Sequence, residues 1–127
     1  MTFLESIATC TKKTFVKEGR ASLSEFWWFQ SLYYMCLFIG WLNHNVINSD
    51  PLHYFILTIL IFYCFPVWSV IIRRLHDLNK TGSTFLLIFI PIAGPIILIF
   101  MLMGAGTKGR NKFGPDPLAK KTKRKKR

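Results

Sequence analysis

The sequence predicts an all-α integral membrane protein with three transmembrane helices, a short N-terminal amphipathic helix and a disordered basic C-terminal tail. Three apolar blocks of nearly bilayer length, at about residues 26–42, 52–72 and 85–103, contain no Asp, Glu, Lys or Arg. Of the 127 residues, 51% are apolar and only 18% are charged. This pattern excludes a soluble fold, and three widely spaced cysteines exclude a disulfide scaffold.

The N-terminal segment and the first block are expected to form a surface helix and a span. Residues 2–17 place apolar side chains among Lys and Thr, which is typical of a short helix lying on the membrane; a frayed end is the alternative. The first block would span about 25 Å as a helix, slightly less than a hydrocarbon core of about 30 Å. Trp27 and Trp28 at one end and Trp41 at the other prefer the headgroup region, so they are expected to anchor the span.

The second block follows a short connection, residues 43–51, which contains several turn formers and no Lys or Arg. As a helix, this block would span about 31 Å, enough to cross a bilayer. Pro66 lies inside the block, where it removes one backbone hydrogen bond and is expected to kink the helix.

The third block is interrupted by Pro91, Gly94 and Pro95, which predict a broken helix. Three kinked spans are the favoured arrangement, because re-entrant backbone must be buried in protein and this short chain offers little protein to bury it. With three full spans, however, the basic residues near the spans favour a cytoplasmic N-terminus, whereas the distal tail favours the opposite orientation. The alternative is a re-entrant hairpin, which would place every basic segment on one side.

A dense polar segment, residues 73–84, separates the second and third blocks. The commoner interpretation is that its charges only fix the depth and orientation of the spans. The other is a headgroup or partner site in which Arg73 and Arg74 hold a phosphate while His76 and Asp77 orient one another. The residues alone leave both interpretations open.

Charged and polar residues recur beside every block, which predicts that they converge in one lipid- or partner-binding site. There, Glu25 or Asp116 is expected to pair with Arg73 or Arg74. Convergence requires either the hairpin or a fold-back of residues 104–117, whose four Gly and two Pro rule out a helix. The predicted site residues are Arg20, Glu25, Arg73, Arg74, His76, Asp77, Thr107, Asn111 and Asp116.

The predicted organisation is a single helical membrane domain, residues 1–117, followed by the basic tail, residues 118–127. Seven of the last eight residues are Lys or Arg, and without this octet the net charge falls from +11 to +4. The body of the protein is therefore not expected to bind nucleic acid. The tail is expected to be cytoplasmic and to bind anionic lipid; a nucleic-acid or ribosome contact and a purely topological role are its alternatives.

Two classes of function remain. The favoured class is a non-enzymatic accessory or regulatory module whose partners are the lipid bilayer, anionic lipid, a second copy of the chain or another membrane protein. The alternative is a transport or lipid-handling protein that uses the Pro-kinked helices, although the lack of Asp, Glu, Lys and Arg in the blocks disfavours an ion pathway. An enzyme is not expected, because His76 and Asp77, the only candidate pair, point about 100° apart on a helix. No catalytic residue, metal site or cofactor is predicted.

Three groups of residues carry a resemblance to a known family. They are Gly19-Arg20-Ala21 with Glu25-Phe26-Trp27-Trp28-Phe29, Arg73-Arg74-Leu75-His76-Asp77 with Gly82, and Gly106-Thr107 with Asn111 and Phe113-Gly114-Pro115-Asp116-Pro117. In order and spacing they resemble the YhaH/YhaI-like bacterial inner-membrane proteins, the domain-of-unknown-function family 805, over about residues 15–117. Ser83 and Thr84 depart from the family, which usually has aromatic residues there. The resemblance implies a bacterial inner-membrane location and an integral helical fold, and it implies no activity.

Overall fold

The computed structural model describes residues 2–119, which form six helical elements. These are α1 (Phe3–Lys12), α2 (Leu23–Leu42), a π-helical turn (Asn43–Ile47), α3 (Asp50–Asp77), a 3-10 helix (Gly82–Phe89) and α4 (Ala93–Met103). Within residues 2–119 no strand forms, and the predicted all-helical class is confirmed. Most of the predicted disordered tail, residues 120–127, lies outside the described residues.

The N-terminal helix α1 is present but is shorter than the predicted residues 2–17. A reciprocal capping box starts the helix, because a threonine and a glutamate each accept the other's backbone N–H. One face of α1 packs against α2, where the Ser6 hydroxyl donates to the Glu25 carbonyl at 2.6 Å. The chain after α1 then crosses α3, whose Ser69 hydroxyl donates to two carbonyls of residues 13–16.

Helices α2 and α3 form an antiparallel hairpin. Asn43 closes the connection, since its side-chain amide donates to the Ser49 carbonyl and its side-chain oxygen accepts the Ser49 N–H, both at 3.0 Å. Between the helices, the rings of Phe29 and Tyr63 stack with their centroids 4.9 Å apart. Helix α3 continues through Pro66. Among residues 2–119, it is the one helix whose length and mean hydropathy both suit a membrane span.

The third apolar block, residues 85–103, returns to the end at which it starts. At its entry, a Cβ on Gly82 would lie 3.2 Å from the Ile72 Cγ2 atom of α3. At its exit, the Arg74 Nε of α3 donates to the Leu102 carbonyl at 3.1 Å. Because both ends lie beside the C-terminal turns of α3, this block does not form the single kinked helix that was favoured, and the count of three spans is not confirmed. The block is a hairpin made of the 3-10 helix and α4, and we name it the re-entrant hairpin because it enters and leaves the fold at one end.

The reversal of this hairpin occurs at residues 90–94. The Ala93 N–H donates to the Pro91 carbonyl at 2.7 Å, which closes a three-residue turn around Ile92, whose φ is +64°. Gly94 then passes so close to the 3-10 helix that a Cβ would lie 1.8 Å from the Leu87 carbonyl oxygen. Each arm is about 16 Å long, which is about half the thickness of a 30 Å hydrocarbon core.

The buried core lies at the open end of this hairpin. All four α-helices and the chain between α1 and α2 contribute to it, through Cys10, Ala21, Phe26, Phe29, Tyr63, Val70, Leu75, Leu98 and Leu102. The opposite halves of α2 and α3 expose most of their large apolar side chains. Five of the polar residues that the sequence singled out, Arg20, Glu25, Arg73, Arg74 and Asp77, are buried at this same end.

Candidate functional site

Five charged residues are buried together at the core end, and we name them the arginine–carboxylate cluster. The cluster consists of Arg20, Glu25, Arg73, Arg74 and Asp77, none of which is more than 7% exposed. Glu25 lies in the first turn of α2, and the last three residues lie in the final turns of α3. The structure thus brings these five predicted residues together, because the start of α2 lies beside the end of α3 in their antiparallel hairpin. The re-entrant hairpin returns the chain after α4 to the same end.

Glu25 pairs with Arg73 in one half of the cluster. The Arg73 Nη1 lies 2.5 Å from the Glu25 Oε1, and the Arg73 side chain has no exposed surface. The Ser22 hydroxyl accepts the Glu25 N–H and so fixes the start of α2 beside α3. Of the predicted pairings, this one is present, whereas Arg74 pairs with a different carboxylate. Within residues 2–119, the Arg73 Nε and Nη2 have no hydrogen-bond partner.

Asp77 is the centre of the other half. Its Oδ1 lies 2.9 Å from both the Nε and the Nη2 of Arg20, and its Oδ2 accepts a hydrogen bond from Arg74 Nη1. Glycine at position 106 allows the chain to pass directly over this carboxylate, because a Cβ there would lie 2.1 Å from the Asp77 Oδ2. Two arginines therefore share one buried carboxylate under a glycine.

The same two arginines bind the backbone that follows α4. Arg74 donates to the carbonyls of Leu102 and Gly104, which would otherwise be unpaired at the helix end. Arg20 donates to the carbonyls of Thr107 and, at 2.5 Å, of Gly109. The planar arginine fork suits this task, since it supplies five donors in a fixed geometry. The cluster thus holds the exit of the re-entrant hairpin to α3 and to the segment before α2.

Residues 104–117, the strap, also bind the end of α3 directly. Thr107 donates to the Asp77 carbonyl through its N–H at 2.8 Å and through its hydroxyl at 2.9 Å. The Asn111 side-chain amide donates to the His76 carbonyl at 2.9 Å. Both predicted strap residues are therefore used in closing the fold.

Asp116 does not pair with Arg73 or Arg74 as one of the predicted alternatives required. Its carboxylate accepts the Leu118 N–H at 2.8 Å and the Gly109 N–H at 3.1 Å. These hydrogen bonds lower the pKa of the Asp116 carboxyl below its usual range. Asp116 therefore closes the strap on itself.

His76 does not orient Asp77, which corrects one part of the phosphate-site interpretation. Its ring stacks on Phe113 with centroids 4.0 Å apart and an interplanar angle of 5°, and its Nδ1 lies 3.2 Å from the Gly19 carbonyl oxygen. This stack was not predicted from the sequence, although Phe113, an aromatic residue in the glycine-rich strap, could have indicated a ring contact. His76 joins the strap to the segment before α2.

The buried arginines do not present a surface to a phosphate group, because the side chains of Arg73 and Arg74 are 0% exposed. The accessible cations at this end are instead seven exposed residues, which sequence reasoning did not single out. We name them the basic rim: Lys12, Lys13, Lys17, Lys80, Lys108, Arg110 and Lys112. Among residues 2–119, no group of three or more His, Cys, Asp or Glu side chains is placed to hold a metal ion.

A family profile described as "Protein of unknown function (DUF805)" matches residues 14–115, which include the complete arginine–carboxylate cluster. The chain belongs to this family. The resemblance drawn from the motifs is thereby confirmed. The match also covers the re-entrant hairpin and the strap as far as residue 115.

Curated relatives agree with this assignment. The chain is 36% identical over 104 residues to "Inner membrane protein YhaH" of Escherichia coli strain K12, covering 78% of this chain and 84% of the relative. It is 33% identical over 101 residues to "Inner membrane protein YhaI" of the same strain, covering 78% of this chain and 83% of the relative. No solved structure matches the chain.

Proposed function

We propose that the protein is a non-enzymatic accessory or regulatory module of the bacterial inner membrane, with α2 and α3 as its two spans and the basic rim on the cytoplasmic leaflet. The observation that carries this proposal is the separation of charge. All ten Lys and Arg residues between positions 2 and 119 lie at the core end, whereas the connection between α2 and α3 contains none. Lys and Arg concentrate on the cytoplasmic side of inner-membrane proteins.

Membrane placement is supported by the names of the relatives, both called inner membrane proteins. Helix α2 has 20 residues, about 30 Å, and α3 has 28 residues, so each is long enough to cross. The re-entrant hairpin enters and leaves on the basic side. This arrangement removes the conflict over orientation that three full spans create, because both ends of residues 2–119 lie on one side.

The non-enzymatic part of the proposal is supported by how the buried polar groups are used. Glu25 and Asp77 are bound in ion pairs, and Arg20 and Arg74 are bound to backbone carbonyls. These groups stabilise the fold and leave the basic rim as the accessible charged surface. A positively charged rim suits the anionic lipids of the inner leaflet or an acidic surface on a membrane partner.

Cysteine labelling tests the topology. In full-length protein with the native cysteines replaced by serine, single cysteines at Asn45, Ser83 and Lys112 are exposed to a membrane-impermeant maleimide in cells with a permeabilised outer membrane. We expect labelling of the Asn45→Cys protein only, with the other two labelled after lysis. Three complete spans would place Ser83 and Lys112 on opposite sides, so labelling of Lys112→Cys from outside would contradict the proposal.

A further inference from the structure

The re-entrant hairpin packs on α3 and leaves an apolar cavity of about 220 Å³ against α2. Trp27, Gln30 and Tyr34 line the α2 side. Ile88 of the 3-10 helix and Ile99 of α4 line the opposite side. Because the hairpin lies at hydrocarbon depth in the proposed orientation, the surroundings of this cavity are lipid tails.

A second cavity, of about 260 Å³, lies at the core end beside the strap. Leu23 of α2 and Ala105, Lys108 and Asp116 of the strap line it. The ion pair of Arg74 and Asp77 forms part of the wall of this cavity. Asp116 is already bound to backbone N–H groups. Lys108 is exposed, so its ammonium is accessible to an anion.

The two cavities lie along the same two walls, α2 on one side and α4 with the strap on the other, and we name the surface between these walls the groove. On α2, Leu23 lines the outer cavity and Trp27, Gln30 and Tyr34 line the inner one, positions that recur on a single helical face. On the other wall, α4 ends beside the inner cavity and the strap continues along the outer one. The groove is thus apolar at hydrocarbon depth and carries a cation at its outer end.

We propose that this groove holds one phospholipid, with an acyl chain in the inner cavity and the phosphate on Lys108. The match is one of both shape and charge, because a phospholipid is apolar along its chain and anionic at its phosphate. An acyl chain in the inner cavity would make close van der Waals contacts with the lining side chains, and these contacts are lost when the cavity is empty. The proposal rests on the proposed orientation, which brings the outer cavity to the level of the headgroups.

The test measures lipid phosphorus and bound mass in full-length protein extracted from native membranes in a mild detergent. Ile99→Trp fills the inner cavity, and Ile97→Trp is the matched control, since both isoleucines lie on α4, both are about half exposed and only Ile99 lines the groove. We expect wild type and Ile97→Trp to retain a phospholipid through native mass spectrometry. We expect Ile99→Trp to retain about tenfold less, as for the loss of a good apolar contact.

Lys108→Gln tests the headgroup end, with Lys108→Arg as the control that keeps the cation at the same position. We expect only Lys108→Gln to lower phospholipid retention, by about tenfold for a lost charged hydrogen bond. Should Ile99→Trp fail to accumulate, Ile88→Trp fills the cavity from the 3-10 helix instead of from α4.

Three results would overturn the proposal. These are equal retention by the two tryptophan variants, a bound species without phosphorus, and a wild-type dimer without lipid that Ile99→Trp dissociates. The last would show that a second copy fills the groove. Phospholipid retention is measured after extraction and does not depend on how the protein is oriented in the membrane. A negative retention result would therefore contradict the lipid groove alone, whereas a negative labelling result would contradict the proposed topology.

Discussion

Single charged residues in this protein act as structural links between segments far apart in sequence. Arg20 and Asp77 are separated by 57 positions, and Arg73 and Glu25 by 48. A buried ion pair contributes little net stability compared with an apolar pair, but breaking it leaves a buried charge without a partner. The cost of removing one member is therefore much larger than the value of the pair.

Replacing Arg73 by methionine should destabilise the protein by about 3 kcal/mol or more, because Glu25 would remain buried without a counter-charge. Removing that charge as well, in Arg73→Met with Glu25→Gln, should recover much of the loss. Thermal unfolding in detergent measures both effects. Lys80→Met, at an exposed position, should change stability by less than about 0.5 kcal/mol.

The same double-mutant comparison identifies the partner. Arg74 pairs with Asp77, so Glu25→Gln should give no recovery in an Arg74→Met background. Equal recovery in both backgrounds, or simple additivity of Arg73→Met and Glu25→Gln, would show that the Glu25 pairing is wrong.

Part of this residue-level picture could be predicted from the sequence. Complementary charges beside the apolar blocks were enough to expect a pair involving Glu25 and an arginine. The sequence could not show which arginine takes part, because Arg73 and Arg74 point about 100° apart and only the packing of α2 on α3 decides between them. A partly desolvated pair was expected, but complete burial of the arginines was not, since the strap that covers them follows a path that the sequence does not reveal.

At the scale of elements, the re-entrant hairpin is the feature that brings the strap to the arginine–carboxylate cluster. The sequence predicted a break at residues 91–95 from its prolines and glycine. A kinked span was favoured over a reversal, because re-entrant backbone must be buried in protein and the chain is short. In the structure, α3 packs along the hairpin, and Arg74 binds the carbonyls at its exit.

Gly94 makes the close packing of the two hairpin arms possible, so Gly94→Ala should open the hairpin. The added methyl group would lie 1.8 Å from the Leu87 carbonyl oxygen, a backbone atom that cannot move without moving the 3-10 helix. We expect a loss of about 3 kcal/mol, at the upper end for overpacking, in thermal unfolding. Gly40→Ala is the control, because its Cβ would meet only Ile56 Cγ2 at 3.8 Å. An unfolding temperature for Gly94→Ala equal to that of Gly40→Ala would contradict this role.

For the whole molecule, the fold separates charge along its length. The basic rim surrounds the core end, and the strap ends there as well, because Asp116 binds the Gly109 N–H. The seven cations of residues 120–127 continue directly from this end in sequence. The described part of the chain therefore ends at the basic rim, and the basic octet follows it in sequence.

The basic tail should bind an anionic membrane surface by charge alone. Each basic residue gains about 1 kcal/mol near such a surface, so a peptide of residues 120–127 should bind vesicles that contain anionic lipid at low salt. Binding should fall as salt rises, since the screening length shortens from about 8 Å at physiological ionic strength to about 3 Å at 1 M. Vesicle co-sedimentation measures this, with a peptide carrying glutamine at every basic position as the control. Equal binding to neutral vesicles, or no binding at low salt, would rule out the lipid contact and leave the tail a topological role.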